Sequence, residues 1–260
     1  EIYQCDWSSD VCSSDLVLKD VNVRKALSLA IDRAFVNQTV WADSRIPAYS
    51  LVPYGVPDAT AGSDFRKTAG EVVGGDITTD YAANVAKAKE LLAAAGFPDG
   101  KGFPKLEFSV NENTGHQAVA EAIMQMWKEN LGIDVEIATM DWATFQQYRK
   151  TSDCQIARQG WVGDYTDPAT FFDLFVSTAG TNDGHYNNPE YDALVIGART
   201  EQDPVKRMEM YHQAEAIIMN DMPIIPIVFY ADDVLSQTNF TGFGVTGTGN
   251  KMFWDATVAK

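Results

Sequence analysis

Residues 157–172, ARQGWVGDYTDPATFF, gather the residue types best able to hold a small molecule. Gly160 and Gly163 let a ligand approach the backbone, Trp161 offers an apolar wall, and Asp164 offers a fixed anion. The segment leaves a predicted strand at residues 155–161 and enters a helix opened by Asp167 and Pro168. A side-chain oxygen there accepts from free amides, and proline loses nothing in a first turn. Ligands of open α/β sheets bind beyond the carboxyl ends of strands, so this is the expected place for a site. From spacing alone, cap and turn duty for Asp164 and Asp167, and core packing for Trp161, outweigh ligand contact.

Other chemistries find less support. His116, His185 and His212 are far apart and show neither His-x-x-x-His spacing nor matched carboxylates, so no metal site is expected. The glycines of TGFGVTGTGN lack the lysine and following helix of a phosphate loop, and no Gly-x-Ser-x-Gly elbow occurs. An enzyme reading makes Asp164 and Asp167 an acid and base pair acting on a glycoside. Against it, a capping Asp167 points at backbone amides.

The elements that position this segment follow from periodicity. Val23, Ala26, Leu27, Ala30, Ile31 and Ala34 predict one helix from Asp20, with Arg24, Lys25, Asp32 and Arg33 mostly facing water. A second helix starts at Asp80 and stops at Gly96. KLEFSV and IDVEIA alternate as half-buried strands around the helical HQAVAEAIMQMWKENLG, a βαβ order that predicts a mainly parallel sheet. Asp141 caps WATFQQYRK, while Asn188 with Pro189 and Asp203 with Pro204 open later helices. MPIIPIVFY reads as a buried strand, and the α/β pattern gives out near Pro226.

With 260 residues, 45% of them hydrophobic, the chain can bury a real core. A net charge of -16 argues against nucleic acid and anionic membrane surfaces, and weakly favours cationic ligands. No apolar run approaches the roughly 18 residues that cross a bilayer; no charged, apolar, small-residue leader pattern is seen, which is uninformative if the opening residues are non-native. The opening EIYQCDWSSDVCSSDL has no periodicity. A disulfide between Cys5 and Cys12 in an exported protein is one explanation. The preferred one is that residues 6–16 back-translate into one frame of a common short-read sequencing adapter, which makes the stretch non-native. Cys154 is then the remaining cysteine and is expected to be a buried small hydrophobe. Residues 1–16 are thus expected to be a disordered or irregular scar, 17–225 an α/β ligand-binding lobe, and 226–260 a separate segment.

The segments VNVRKALSLAIDR, AKELLAAAGFPDGKGFPKLEFSVNENTGHQAVAEAIMQMWKENLGIDVEI, DWATFQQYR, ARQGWVGDYTDPATFF and HYNNPEYDALV resemble, in order, the carboxyl-terminal half of a known family. It comprises the oligopeptide- and dipeptide-binding receptors of bacterial ABC importers, the family 5 extracellular solute-binding proteins. The resemblance implies the carboxyl-terminal lobe of a type II periplasmic-binding-protein-like fold, with the amino-terminal lobe missing. It implies a monomeric receptor that closes on an extended peptide and hands it to membrane permease subunits, without cofactor or bond chemistry. The parent would be exported or lipid-anchored, in the periplasm or on the outer face of the cytoplasmic membrane.

Carried over by position, Asp164 holds the peptide's α-ammonium group, Gly160 and Val162 pair with its main chain, and Trp161 and Trp142 line side-chain pockets. Arg158, Arg149 and His116 fall near the ligand's carboxyl end or its pockets. Ordinary duties compete for three of these: Arg149 paired with an acid such as Asp153, His116 as a surface residue at a helix start, and Trp142 as core. Residues 226–260 would pack on the missing lobe, so the chain alone should bind poorly or not at all. A sugar, metal chelate or opine-like cargo stays open, although the acid at 164 favours a cationic amino terminus.

Overall fold

The computed structural model describes residues 2–5, 15–73, 76–151, 153–231, 235–245 and 251–258. Strand β1 (Ile2–Cys5) and helix α1 (Asp15–Lys19) precede α2 (Val21–Leu29), whose first turn Asp20 caps through the Asn22 amide at 2.8 Å. The single helix expected from Asp20 is in fact two. Asp32 accepts from the Phe35 amide at 2.9 Å and starts α3 (Arg33–Trp41), because its carboxylate competes with the helical ladder for backbone donors.

After β2 (Ile46–Pro47), α4 (Phe65–Ala69) and α5 (Tyr81–Ala94) comes the βαβ unit of β3 (Leu106–Asn111), α6 (Thr114–Leu131) and β4 (Val135–Met140). Strands β3 and β4 pair in parallel from Leu106 opposite Val135 to Asn111 opposite Met140. Gly132 ends α6 in the left-handed region, where an added Cβ would lie 2.6 Å from the Asp99 carbonyl oxygen. Then follow α7 (Trp142–Tyr148), β5 (Ile156–Gln159), α8 (Ala169–Phe172), α9 (Pro189–Ala198), α10 (Pro204–Asp221), β6 (Ile224–Pro226) and β7 (Val228–Phe229). Four two-residue strands, β8 (Phe240–Thr241), β9 (Gly244–Val245), β10 (Lys251–Met252) and β11 (Thr257–Val258), form two small ribbons at the end.

The main sheet has the order β4-β3-β5-β1-β6. Strands β4, β3 and β5 are parallel, and β1 runs antiparallel to both β5 and β6, so β6 points with the first three. The expectation of irregular structure fails at residues 2–5 and again where α1 begins. The inner edges of β5 and β6 leave amides and carbonyls that need partners, and Ile2, opposite Gln159 on one side and Pro226 on the other, starts the strand that supplies them. The side chain of Cys5 and all of Cys12 lie outside the described residues, and with them the disulfide alternative. The predicted strand MPIIPIVFY divides at Ile227: β6 joins the main sheet, whereas β7 pairs antiparallel with β2. Burial continues to Phe229, after which Leu235 is 99% exposed and Trp254 83%.

Arg24 and Arg33, expected to face water, are buried. A guanidinium has five fixed donors and can be desolvated where carbonyls surround it. Arg24 donates to the carbonyls of Leu18, Lys19 and Asp221. Arg33 donates to Pro226 at 2.8 Å and to the carbonyl and hydroxyl of Ser28. Burial lowers the Arg33 pKa to about 10, against the opposing influence of Tyr49 and Asp32.

Arg66 and Glu215 are both fully buried and joined by two bonds of 2.6 and 2.8 Å. Glu215 also accepts from the Leu51 and Val52 amides at 3.0 and 2.9 Å. Glu215→Ala should strand a buried cation and two amides, at about 3–5 kcal/mol in urea denaturation. Replacing both members by Met and Leu should lose less than either single change.

Beside this pair, His212 stacks on Phe65 at 4.0 Å and bonds the Asp58 carboxylate at 3.0 Å. Burial works to raise the Asp58 pKa, but bonds from the Ala59 amide, Thr68 and His212 outweigh it and hold the carboxyl below its usual 3.8. The stabilisation is therefore present above the unfolded pKa and lost as pH falls through the folded one. Asp58→Asn should flatten the acid limb of stability below about pH 4, read by thermal melts against pH.

Candidate functional site

The carboxyl ends of β4, β3 and β5 lie side by side, and each leads into a capped turn. Beyond β3, Asn113 caps α6 through the Gly115 and His116 amides, and the His116 ring meets the Asn111 side chain at 2.8 Å. The Glu112 amide donates to the Met140 carbonyl at 2.7 Å, tying the ends of β3 and β4 together. Beyond β4, Asp141 accepts from the Ala143 and Thr144 amides, and the Thr144 hydroxyl leads the bonds that hold its carboxyl below the usual range. Trp142, the first residue of α7, is 53% exposed with its ring 6.1 Å from Phe145, so it is not core.

Beyond β5 the chain runs through residues 160–164. Trp161 is half-buried against the main core, and its indole Nε1 donates to Thr170 Oγ1 at 3.2 Å. Val162 is 76% exposed. The Asp164 amide donates to the same Thr170 oxygen at 3.1 Å, and its side chain is exposed. Among the described residues none forms a hydrogen bond or ion pair with the Asp164 carboxylate. Burial first, then the charges of Asp173, Asp167 and Asp164, raise the pKa of Tyr165, opposed by Arg199, which pairs with Asp173. A Cβ on Gly160 would sit 2.9 Å from an Arg158 guanidinium nitrogen, and one on Gly163 would sit 3.2 Å from the Thr170 methyl.

Asp167 has a different fate. It accepts from the Ala169 amide at 2.9 Å and takes both arms of Arg207 at 2.8 Å each, a pairing that raises the arginine's pKa. Helix α8 begins one position later than expected, with Pro168 in the cap position. A carboxylate so engaged is not a free catalytic base.

Arg149 and Arg158 belong to a second feature, a small, partly open cleft lined with Cys154, Ala157, Gln159, Asp183 and Gly184. Arg149 pairs with Asp183 rather than Asp153, with Nε 3.0 Å from Oδ2 but poorly aligned for a hydrogen bond. Burial raises the Asp183 pKa, opposed by Arg149, Lys150 and His185. Cys154 is buried with Phe145 and Ala157, as expected. Gly160, Trp161, Val162, Asp164, Trp142 and His116 thus share the carboxyl edge of the sheet, with the two arginines set in the neighbouring cleft. Sequence reasoning missed Thr170, Arg207 and Asp183. Thr170 read as one more residue of a helix start, and no local signal linked Arg207 to Asp167 across 40 residues.

The chain, built on a mainly parallel sheet with helices packed against it, belongs to the bacterial extracellular solute-binding proteins of family 5. The profile described as "Bacterial extracellular solute-binding proteins, family 5 Middle" matches residues 12–183. The chain is similar to the oligopeptide-binding protein OppA of Bacillus subtilis, 34% identical over 244 residues, which cover 92% of this chain and 42% of that protein. The periplasmic murein peptide-binding protein MppA of Escherichia coli is 36% identical over 231 residues, 87% of this chain and 40% of MppA. The solved structure of MppA matches with a TM-score of 0.73 and 33% identity over 88% of this chain and 42% of its own. The probable deoxycholate-binding periplasmic protein YgiS of Escherichia coli is 35% identical over 212 residues, 81% of this chain and 37% of YgiS. The chain therefore spans about two-fifths of the length of the relatives it matches.

Proposed function

We propose that this chain is the ligand-contacting lobe of the substrate-binding component of a peptide ABC importer, which captures oligopeptides without making or breaking a bond. The observation that carries the reading is the Asp164 carboxylate: exposed beyond the carboxyl end of β5, fixed through its own amide, and unpaired among the described residues. An ammonium group desolvated in a closing cleft needs a charge-assisted partner. The exposed chain at Val162 suits main-chain pairing, which is blind to the ligand's side chains and fits relatives named for oligopeptides and murein peptides.

Trp161 and Trp142 serve in this reading as pocket walls, with Arg158, Arg149 and His116 toward the ligand's other end. Residues 226–229 are buried in this lobe, so the expected boundary at 226 moves to about 230; the exposed side chains of Tyr230, Leu235, Phe253, Trp254 and Val258 support the remainder as a segment that packs on a further lobe. The working protein would be a monomer that meets permease subunits from the periplasm or from the outer face of the cytoplasmic membrane, exported or lipid-anchored. A second reading, a non-peptide solute on the same fold, is favoured by the likeness to a probable deoxycholate-binding protein. The glycosidase alternative loses its base to Arg207.

Titrating the ¹⁵N-labelled chain with trialanine and N-acetyl-trialanine tests the peptide reading. The amides of residues 160–164 should respond to the free peptide at least about fivefold more strongly, and Asp164→Asn should erase that preference. Equal, saturable responses to the two peptides at millimolar concentration, where a half-cleft's weak binding still registers, would remove the role assigned to Asp164. A stronger response to deoxycholate than to either peptide would favour the second reading.

A further inference from the structure

We propose that Thr170 is the positioning residue of this site, fixing the Asp164 anion and the Trp161 wall in one relation while leaving the carboxylate uncommitted. The inference rests on the reading of Asp164 as the ammonium acceptor.

Thr170 is 3% exposed, in the first turn of α8. Its Oγ1 accepts from the Trp161 indole at 3.2 Å and from the Asp164 amide at 3.1 Å, which occupies both lone pairs of the hydroxyl. Its methyl group abuts Gly163, where a Cβ would lie only 3.2 Å away. One side chain therefore touches the loop at three consecutive features: the wall, the glycine and the anion's backbone. The turn that carries Thr170 is itself fixed, since Asp167 accepts from the Ala169 amide and takes both arms of Arg207.

The choice of atoms gives this arrangement its meaning. A hydroxyl donating to the Asp164 carboxylate would compete with an incoming ammonium for the same oxygens. Thr170 binds the amide instead, so the aspartate is located by its main chain and its charge stays available to a ligand. A site whose parts are already in place loses less freedom on binding, which raises affinity without adding a contact.

The test compares Thr170→Val, which removes the hydroxyl and keeps the shape, with Thr170→Ser, which keeps the hydroxyl. Without ligand, hydrogen exchange at the Trp161 indole and the Asp164 amide should accelerate at least about tenfold in the valine variant and return toward wild type in the serine variant. Unchanged exchange in Thr170→Val overturns the proposal. Gly163→Ala, which crowds the methyl and keeps the hydroxyl, is the second variant: the same two protons should exchange faster, and unaltered exchange counts against the proposal. With trialanine and N-acetyl-trialanine, the valine variant should lose most of the preference for the free amine and the serine variant should keep it. If wild type shows no preference, the ammonium reading falls. If wild type and Thr170→Val show the same preference, the role of Thr170 falls and the ammonium reading stands.

Discussion

A carboxylate with no access to water must be neutralised where it sits, and Glu215 is such a group. Its position in α10 dictates that Arg66 reach it from α4 and that the chain at Leu51 and Val52 turn its amides inward. The same helix meets the rest of the lobe at other points along its length. Arg207 holds the turn after β5, His212 holds Asp58, and the last carbonyl, on Asp221, receives Arg24. Segments between residues 24 and 66 and the turn at Asp167 are thus fixed to one helix by polar contacts that tolerate little displacement, and the apolar core fills the space between them.

That rigidity explains how two aspartates three residues apart come to differ so sharply. Asp167 lies within reach of α10 and is committed to an arginine and a backbone amide, whereas Asp164 is on the outer side of the turn, with only its amide engaged. The Arg207 charge cancels the first acid and leaves the second to set the local potential. The turn thus presents an uncommitted anion beside a half-buried tryptophan.

Much of this fold was legible because its signals are local. Asp80, Asp141, Asn188 and Asp203 cap the helices that their spacing predicted, and the alternation of Leu106, Phe108 and Val110 marked the central strand. What escaped was decided over long range. Arg24 and Arg33 carry the polar signature of a wet helix face, yet distant carbonyls at Asp221 and Pro226 receive them. Asp32 looked like one more surface acid, and its competition for the Phe35 amide split a helix that hydrophobic periodicity would have run through. At the candidate site, Asp164, Trp161 and the glycines drew notice in the sequence by residue type alone. Thr170 did not, because a threonine that accepts from two loop donors looks in sequence like any other.

The Arg33 clasp on the Pro226 carbonyl has a bearing on how this lobe would come apart. Both partners keep their charge state well into the acid range, since a carbonyl does not titrate and the guanidinium stays ionised. The Asp58 clasp on His212 relies on a carboxylate that acid neutralises. Acidification would therefore unfasten the loop over α10 while the seam where β6 passes into β7 stayed shut, so that disassembly proceeds from the periphery toward the sheet.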